Sequence, residues 1–389
     1  MLSREDNELI TRVGPGTPGG EMLRRYWQPV APSSELTAEK PILKVRMLGE
    51  DLVAYRGADG SYGLVAEKCP HRFASLAYGR IEGNCIRCPY HGWKFDPAGR
   101  CVEMPAEPKG TTLPDAVKHA GYPVRKFGGM LFAYMGKGEA PALPKWDVLA
   151  WEKGRRWIRK FTVLNCNWVQ AMENSVDPSH LYWLHGASAH LADVVDHYSE
   201  EHDFIPFEYG IYKRRTTTTS KTGKAGQVDQ HPLLFPNILR HVAHAKNGGR
   251  LRHNLQMRVP MDDTHTQIII ANFEPREDMV TPNDADVPME YYDFRDGEGG
   301  YRMSDVPAQD CMAWETQGAI MNRPLEQLGS ADKGIVLYRR MLKEQIEIVR
   351  KGGAPLGVAP ASQEKPVIAL GVINERIGLE RPAEERGAA

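Results

Sequence analysis

Two short segments each bring a thiolate and an imidazole together. In "CPHR" Cys69 lies two residues before His71, and in "CPYHGW" Cys88 lies three residues before His91. A structural zinc site usually pairs two cysteines two to four residues apart with two later histidines. Here each loop offers one ligand of each kind. That division suits a [2Fe–2S] cluster in which two cysteines hold one iron and two histidines the other. Replacing two anionic thiolates by neutral imidazoles lowers the negative charge on such a cluster and raises its reduction potential. The prolines after both cysteines restrict the loop backbones, and Gly92 allows a tight turn beside the second histidine. A zinc module is the competing reading and predicts a colourless protein. Cys85 makes a Cys-x-x-Cys with Cys88, but no second cysteine pair follows it, so it reads as a partly buried thiol. Cys101, Cys166 and Cys311 are isolated and read as packing residues.

A cluster with this mixed ligation, the Rieske type, only relays electrons. Its electrons need a consumer, and "NWVQAMENSVDPSHLYWLHG", residues 167–186, offers one. It contains Asp177, His180 and His185. Two histidines and a carboxylate form the ligand set of mononuclear non-haem iron(II) oxygenases, which leaves coordination positions open for dioxygen. Residues five apart on a regular helix point about 140° apart, at about 100° per residue. The pair is therefore expected to share a metal only where the helix distorts or ends between them, with Pro178 and Gly186 bracketing the segment. Asp177 lies on the same side as His180, as a ligand or as the partner of a ligating histidine. Glu173 reads as an ordinary helix charge in preference to a ligand's buried partner. A further carboxylate is expected from late in the chain, with Asp305, Asp310, Glu315 and Asp332 as candidates between which spacing does not choose. Asp305 also suits a helix cap, and Glu315 reads as structural.

The flanking patterns supply elements to hold these residues. "PILKVRML", "LVAYRG" and "SYGLVAEKC" alternate or run apolar between Gly/Asp turns, and "CVEMPAEP" and "YPVRKFGGMLFAYMG" continue the series. They predict a small antiparallel sandwich with the two Cys/His loops at one tip. The Pro-rich stretch 138–147 reads as a linker. Beyond it, "EYGIYKRRTTTTS", "NILRHVAHA" and "LRHNLQMRVPMDDTHTQIIIANFEP" predict long strands, and residues 332–353 an amphipathic helix ending at glycines. The expected class is α+β. The expected units are residues 1–145 (core about 26–137), 146–360, and a C-terminal tail, 361–389.

"GPGTPG", residues 14–19, satisfies a dinucleotide fingerprint only formally. No strand precedes it, and Pro15 and Pro18 remove amide donors, so it reads as a turn. With no nucleotide site elsewhere, NAD(P)H enters only indirectly, through a separate reductase. A net charge of −1, with 41% apolar and 25% charged residues, points to a globular protein with no nucleic-acid or membrane partner. Apolar runs such as "QIIIANF" fall well short of the roughly 20 residues that span a bilayer. The opening "MLSREDNELI" lacks a signal-peptide core, and six cysteines are too few for a disulfide scaffold. Cytoplasmic location with reduced thiols is the expectation.

Taken together, "CPHR", "CPYHGWKFD", "ENSVDPSHLYWLHG" and the opening thirty residues resemble one family over nearly the whole chain. It is the oxygenase (alpha) component of the Rieske non-haem iron ring-hydroxylating oxygenases, in the phthalate dioxygenase and phenoxybenzoate dioxygenase-like branch. The resemblance implies a helix-grip second domain. It implies a [2Fe–2S] cluster on Cys69, His71, Cys88 and His91, and mononuclear Fe(II) on His180 and His185, with O2 as co-substrate. "AQDCMAWETQG" resembles the family segment that would make Asp310 the third ligand. Asp177 would match the aspartate that bridges a Rieske histidine of a neighbouring subunit to an iron-ligating histidine, which implies a homo-oligomer, a trimer or stacked trimers. Asn174 would match an asparagine near the iron. Partners implied are a reductase, with or without a ferredoxin, and a small aromatic substrate. That substrate would undergo ring dihydroxylation, or monooxygenation leading to O- or N-dealkylation. A Rieske electron-transfer protein with no oxygenase chemistry is the alternative. For the substrate pocket, Trp183, Leu184, Leu233, Leu234, Phe235, Ile238 and Met257 are apolar candidates. Arg214, Arg215, Arg240 and Arg252 are candidates for a carboxylate.

Overall fold

Ile42–Met47, Glu50–Arg56 and Tyr62–Ala66 form an antiparallel meander with Gly121–Tyr122 at its edge. The computed structural model describes residues 2–186, 199–218, 226–244 and 250–377. A second sheet, of Arg80–Glu82, Cys85–Arg87, Lys94–Phe95 and Cys101–Glu103, faces the same small core. A third pairs Trp27–Pro32 with Met130–Tyr134 and Val124–Phe127. The Cys/His loops follow Tyr62–Ala66 and Cys85–Arg87, as the hairpin spacing predicts.

The larger sheet runs in the order Ser199–Phe207, Gly210–Thr218, Gly226–Leu234, Ile238–His244, Leu251–Pro260, Thr266–Val280, Lys153–Phe161 and Met289–Tyr292. Every neighbouring pair is antiparallel except the last. Helices Trp168–Val176, His180–His185, Val306–Glu315 and Lys333–Arg350 complete the α+β architecture. The last buries Tyr338, Met341, Leu342, Gln345, Ile346 and Val349 at helical spacing. Tyr338 donates a 2.9 Å hydrogen bond to the Pro236 carbonyl. Gly334 meets the sheet so closely that a Cβ there would lie 2.3 Å from the Phe204 ring. Among the described residues no helix is long and apolar enough to cross a membrane.

Three expected boundaries change. The first 25 residues pack on the second half of the chain: Asp6 pairs with Lys343 at 2.7 Å and Asn7 accepts from Arg323 at 2.9 Å. The stretch 138–147 is no loose linker, because Leu143 and Trp146 are buried and Trp27 donates to the Pro141 carbonyl. Residue 361 does not begin a tail. Ile368 and Leu370 are buried, and Ile373–Ile377 pairs with Gly226–Leu234; residues 378–389 lie outside the described residues.

One main hydrophobic core spans both halves. A hairpin turn locks them further. Leu48 and Gly49 both hold positive φ (49° and 78°), and their amides donate to the carbonyls of Pro260 (2.9 Å) and Met261 (2.8 Å). A leucine in that region is strained, and these bonds and its full burial compensate.

Glu173 is not a surface helix charge. It is buried, and its carboxylate receives Arg323 through two hydrogen bonds of 2.8 Å and Arg339 through one of 2.6 Å. Arg339 also pairs with Glu326. Burial alone would raise the Glu173 pKa, but the two guanidinium groups outweigh it and lower it. Glu173→Ala leaves a fully buried guanidinium without its carboxylate. It should destabilise the protein by about 3–5 kcal/mol in chemical denaturation; a loss under about 1 kcal/mol would show that the network does not hold the helices together.

Candidate metal centres

The two Cys/His loops are built to one pattern. In the first, the Cys69 amide donates to the Ala74 carbonyl (2.9 Å) and the Phe73 amide to the Cys69 carbonyl (2.9 Å). In the second, Cys88 donates to Trp93 (2.8 Å) and Gly92 to Cys88 (3.2 Å). The residue four beyond each cysteine, Phe73 or Gly92, has positive φ. Arg87 braces the second loop by donating to the Gly92 carbonyl at 2.5 Å while pairing with Glu82 and Glu103.

This turn drives both thiols inward and turns the histidines outward. Cys69 and Cys88 are buried (1% and 2% exposed) beside one another, His71 is exposed and His91 half-buried. The imidazoles form their own pair, with ring centroids 4.5 Å apart, and His71 stacks on Trp93 at 4.6 Å. Burial, with Cys88 adjacent, pushes the Cys69 thiol up to about 12, a cost that a bound cation removes. Among the described residues only one set of three or more His, Cys, Asp and Glu side chains has ligating atoms all within 4.8 Å, and it lies elsewhere. No three of these four residues converge on one point, so a single tetrahedral zinc does not fit them. A thiolate pair and an imidazole pair suit two irons.

The set that does converge is His180, His185 and Asp310. Asp177 adopts φ −82°, ψ 119°, the extended state that a following proline imposes, and ends helix Trp168–Val176. The new helix, His180–His185, begins after Pro178. The chain therefore breaks before His180, not between the histidines. They occupy the two ends of one six-residue helix, with ring centroids 5.3 Å apart. Asp310, on Val306–Glu315, reaches both: its Oδ1 lies 3.3 Å from His185 Nε2 and 3.7 Å from His180 Nε2.

The other ring nitrogens face residues that orient them. His185 Nδ1 is 2.7 Å from Gln309 Oε1, and Gln309 Nε2 donates to the Met303 carbonyl at 2.8 Å. The amide is thereby fixed with its oxygen toward His185, which puts a proton on Nδ1 and leaves Nε2, 3.3 Å from Asp310, as the nitrogen available to a metal. Asp177 Oδ2 lies 3.6 Å from the buried His180 Nδ1, and Asp177 Oδ1 accepts from the Ser179 amide at 2.8 Å. Burial would raise the Asp177 pKa, but His180, the Ser179 amide and Lys213 together lower it. Burial would lower that of His185, but Asp310 outweighs it and raises it. Asn174 points its amide at Asp310 Oδ1, 3.5 Å away. Two imidazoles and one carboxylate meeting here fit a mononuclear iron(II) with open positions.

The rival carboxylates are engaged elsewhere. Glu315 accepts from the Asn165 amide, Arg295 and Tyr301; Asp305 faces the Tyr292 hydroxyl; Asp332 accepts from the Gly329 amide. The proposed pocket residues scatter. Leu233, Leu234, Phe235, Ile238 and Met257 lie in the main core, and Trp183 is exposed. Arg240 is buried against Asp147, Arg215 pairs with Asp229, and Arg214 is exposed. Gln309 went unrecognised; its only sequence signal is its place beside Asp310.

Known proteins resemble both halves of the chain. Residues 26–127 match the Rieske [2Fe-2S] domain and residues 294–376 the LigXa C-terminal domain. The chain is 39% identical to the 5,5'-dehydrodivanillate O-demethylase oxygenase subunit of Sphingobium sp., over 92% of this chain and 84% of that one. The family follows. The chain belongs to the Rieske non-haem iron oxygenases, as an oxygenase subunit. It is 30% identical to the phthalate 4,5-dioxygenase oxygenase subunit of Pseudomonas putida (92% and 89% covered). It is 34% identical to the tert-butanol monooxygenase / tert-amyl alcohol desaturase oxygenase subunit of Aquincola tertiaricarbonis (87% and 76%). The fold matches Pseudomonas putida CBB5 NdmA with caffeine at a TM-score of 0.66 and 21% identity, over 94% of this chain and 99% of that one. The oxygenase is an oxidoreductase whose cofactors are a Rieske cluster and mononuclear iron, with O2 as co-substrate.

Gln309→Leu removes the acceptor that holds His185 in its Nδ1–H form. It should weaken binding at the mononuclear site by about 10- to 100-fold, read as iron content after dialysis against a chelator, with the visible spectrum of the Rieske cluster unchanged. Full iron retention would show that Gln309 does not position His185.

Proposed function

We propose that this oxygenase takes electrons from a separate NAD(P)H-dependent reductase, directly or through a ferredoxin, and hydroxylates a small aromatic compound, with O-demethylation of a methoxyarene as the leading reaction. The observation that carries this reading is the pairing on one chain of an outward-facing imidazole pair above buried thiols with a separate His180–His185–Asp310 convergence. The first arrangement suits electron entry and exit; the second suits a metal that consumes electrons. A relay protein alone has no use for the second, which disfavours the pure electron-transfer reading. The 39% identical O-demethylase supports the aromatic methoxy substrate, and the relative named for tert-butanol supplies the competing class, a tertiary alcohol.

When bound, the [2Fe–2S] cluster on Cys69, Cys88, His71 and His91 and the iron on His180, His185 and Asp310 supply electron relay and oxygen activation. The chain's own residues set the geometry. Gln309 holds the His185 proton on Nδ1, and Asn174 steadies the Asp310 carboxylate. Asp177, at 3.6 Å from His180 Nδ1, links that histidine to a Rieske histidine of a neighbouring copy. Exposed Phe73, Tyr78 and Tyr90 beside the cluster loops, and exposed Trp183 on the iron-site helix, favour such a contact in a trimer or stacked trimers. Residues 26–137 serve as the cluster domain and 146–377 as the iron domain.

Oxygen uptake with reductase and NADH, across aromatic acids, methoxyarenes, N-alkyl anilines and tert-butanol, tests the assignment. Stimulation by a methoxybenzoate with loss of its methyl group is expected; stimulation by tert-butanol alone would replace the aromatic reading. Asp177→Asn should keep both metals while turnover falls by about 10- to 100-fold or more. Unchanged turnover would sink the bridging role.

A further inference from the structure

The face of the large sheet that meets the helices is unexpectedly polar. Phe204, packed against Gly334, is paired directly with Lys213, so both point toward the helix layer. Lys213 is paired with His231, and Arg215 with Asp229, on that same face. His231 stacks on His241 at 4.4 Å, one strand further on. Arg258 reaches the same layer, 5.9 Å from the Trp314 ring on the helix that carries Asp310.

These side chains are buried, and several are incompletely satisfied. Lys213 is 3% exposed and its ammonium makes no hydrogen bond among the described residues. Asp229 Oδ1, His231 Nε2, His241 Nδ1 and Arg258 Nε are buried without a hydrogen-bond partner. Asp229 commits its other oxygen to Arg215 at 2.7 Å. Burial holds both histidines below their usual pKa, hence neutral at pH 7. On the sheet itself Lys213, Arg215 and Arg258 face one carboxylate, Asp229; Asp177 and Asp310 act on Lys213 and Arg258 from the helices, and Arg258 also donates to Gln256. A buried cation without a partner is costly unless a ligand completes it. The wall lies next to the iron site: Arg258 is 5.9 Å from Trp314 on the helix that carries Asp310, and the charges of Asp177 and Asp310 reach Lys213 and Arg258.

We infer that Lys213, with Arg258 beside it, anchors an anionic oxygen group of the substrate, a carboxylate or a phenolate, opposite the His180–His185–Asp310 centre. This rests on the reading that substrate binds between the sheet and that centre, and it assigns the substrate class as an aromatic acid or phenol. The ion pair turns the ring so that one edge faces the metal, which is orientation by a charge-assisted hydrogen bond.

The test uses the holoenzyme and four probes: 4-hydroxy-3-methoxybenzoate, its methyl ester, 3,4-dimethoxybenzoate, and methyl 3,4-dimethoxybenzoate, which carries neither acidic group. Binding is measured by titration calorimetry and turnover by oxygen uptake. Lys213→Met should weaken binding of the anionic probe by about 10- to 100-fold and leave the doubly capped ester unchanged. Lys213→Arg should restore most of the affinity. The ester and ether arms tell whether carboxylate or phenolate is the anchored group. Lys213 faces Asp229, Arg215, Arg258, Asp177 and the neutral His231 and His241, and burial brings its pKa down to about 8. Wild-type affinity for the acid should therefore fall as pH rises above about 8, where the ammonium is lost, and stay level in Lys213→Arg. Equal binding of acid and doubly capped ester by the wild type, no binding of either acid, or unchanged affinity in Lys213→Met overturns the inference. Charge-selective binding without stimulated oxygen uptake supports the anchor and counts instead against the proposed reaction.

Discussion

The candidate iron site depends on one steric preference: a residue before proline is pushed out of the helical conformation. Asp177 precedes Pro178, and its extended backbone stops Trp168–Val176 and restarts the chain as His180–His185. On a six-residue helix they stand at opposite ends, and their rings lean together over Asp310. The same break frees the Asp177 carboxylate to take the Ser179 amide on one oxygen and face His180 with the other. One break thus sets both where the histidine helix starts and how the Asp177 carboxylate meets it.

Such a site needs rigid support, because small displacements at a metal centre cost affinity and rate. Helix Trp168–Val176 gets that support from Glu173, whose buried carboxylate ties it to Arg323 and Arg339 on two later segments. Gln309 does the equivalent for His185 by spending one end of its amide on the Met303 carbonyl. The Rieske loops use backbone hydrogen bonds instead. Their matched turns bury the sulfur pair and turn the imidazole pair outward.

The large sheet has two faces with different duties. One packs into the shared core with the N-terminal half through residues such as Ile238, Leu255 and Met257. The other carries Lys213, Asp229, His231 and Arg258 toward the helices. Buried polar groups lose stability unless fully paired, and it is on these that the proposed substrate anchor rests.

Much of this was legible from residue types and spacing. The four candidate cluster ligands fall within 69–91 and the candidate histidine pair within 180–185, so local motifs pointed to both centres. Alternation located the strands around Ile42–Met47, Gly210–Thr218 and Leu251–Pro260, and periodicity located helix Lys333–Arg350. Gly226–Leu234 and Lys153–Phe161 were missed because charged and polar side chains on them obscure the usual strand signal. Which of four late carboxylates meets the histidines, and which strand face turns inward, were beyond spacing. A period of two defines two faces but says nothing of which one a helix from 100 residues away will cover. Only the tertiary fold brings Asp310 to His185, directs Glu315 to Arg295 and Tyr301, and buries Lys213 while leaving Arg214 in water. The physical reason is that ligand identity is written in short-range chemistry, whereas convergence and burial are set by long-range packing.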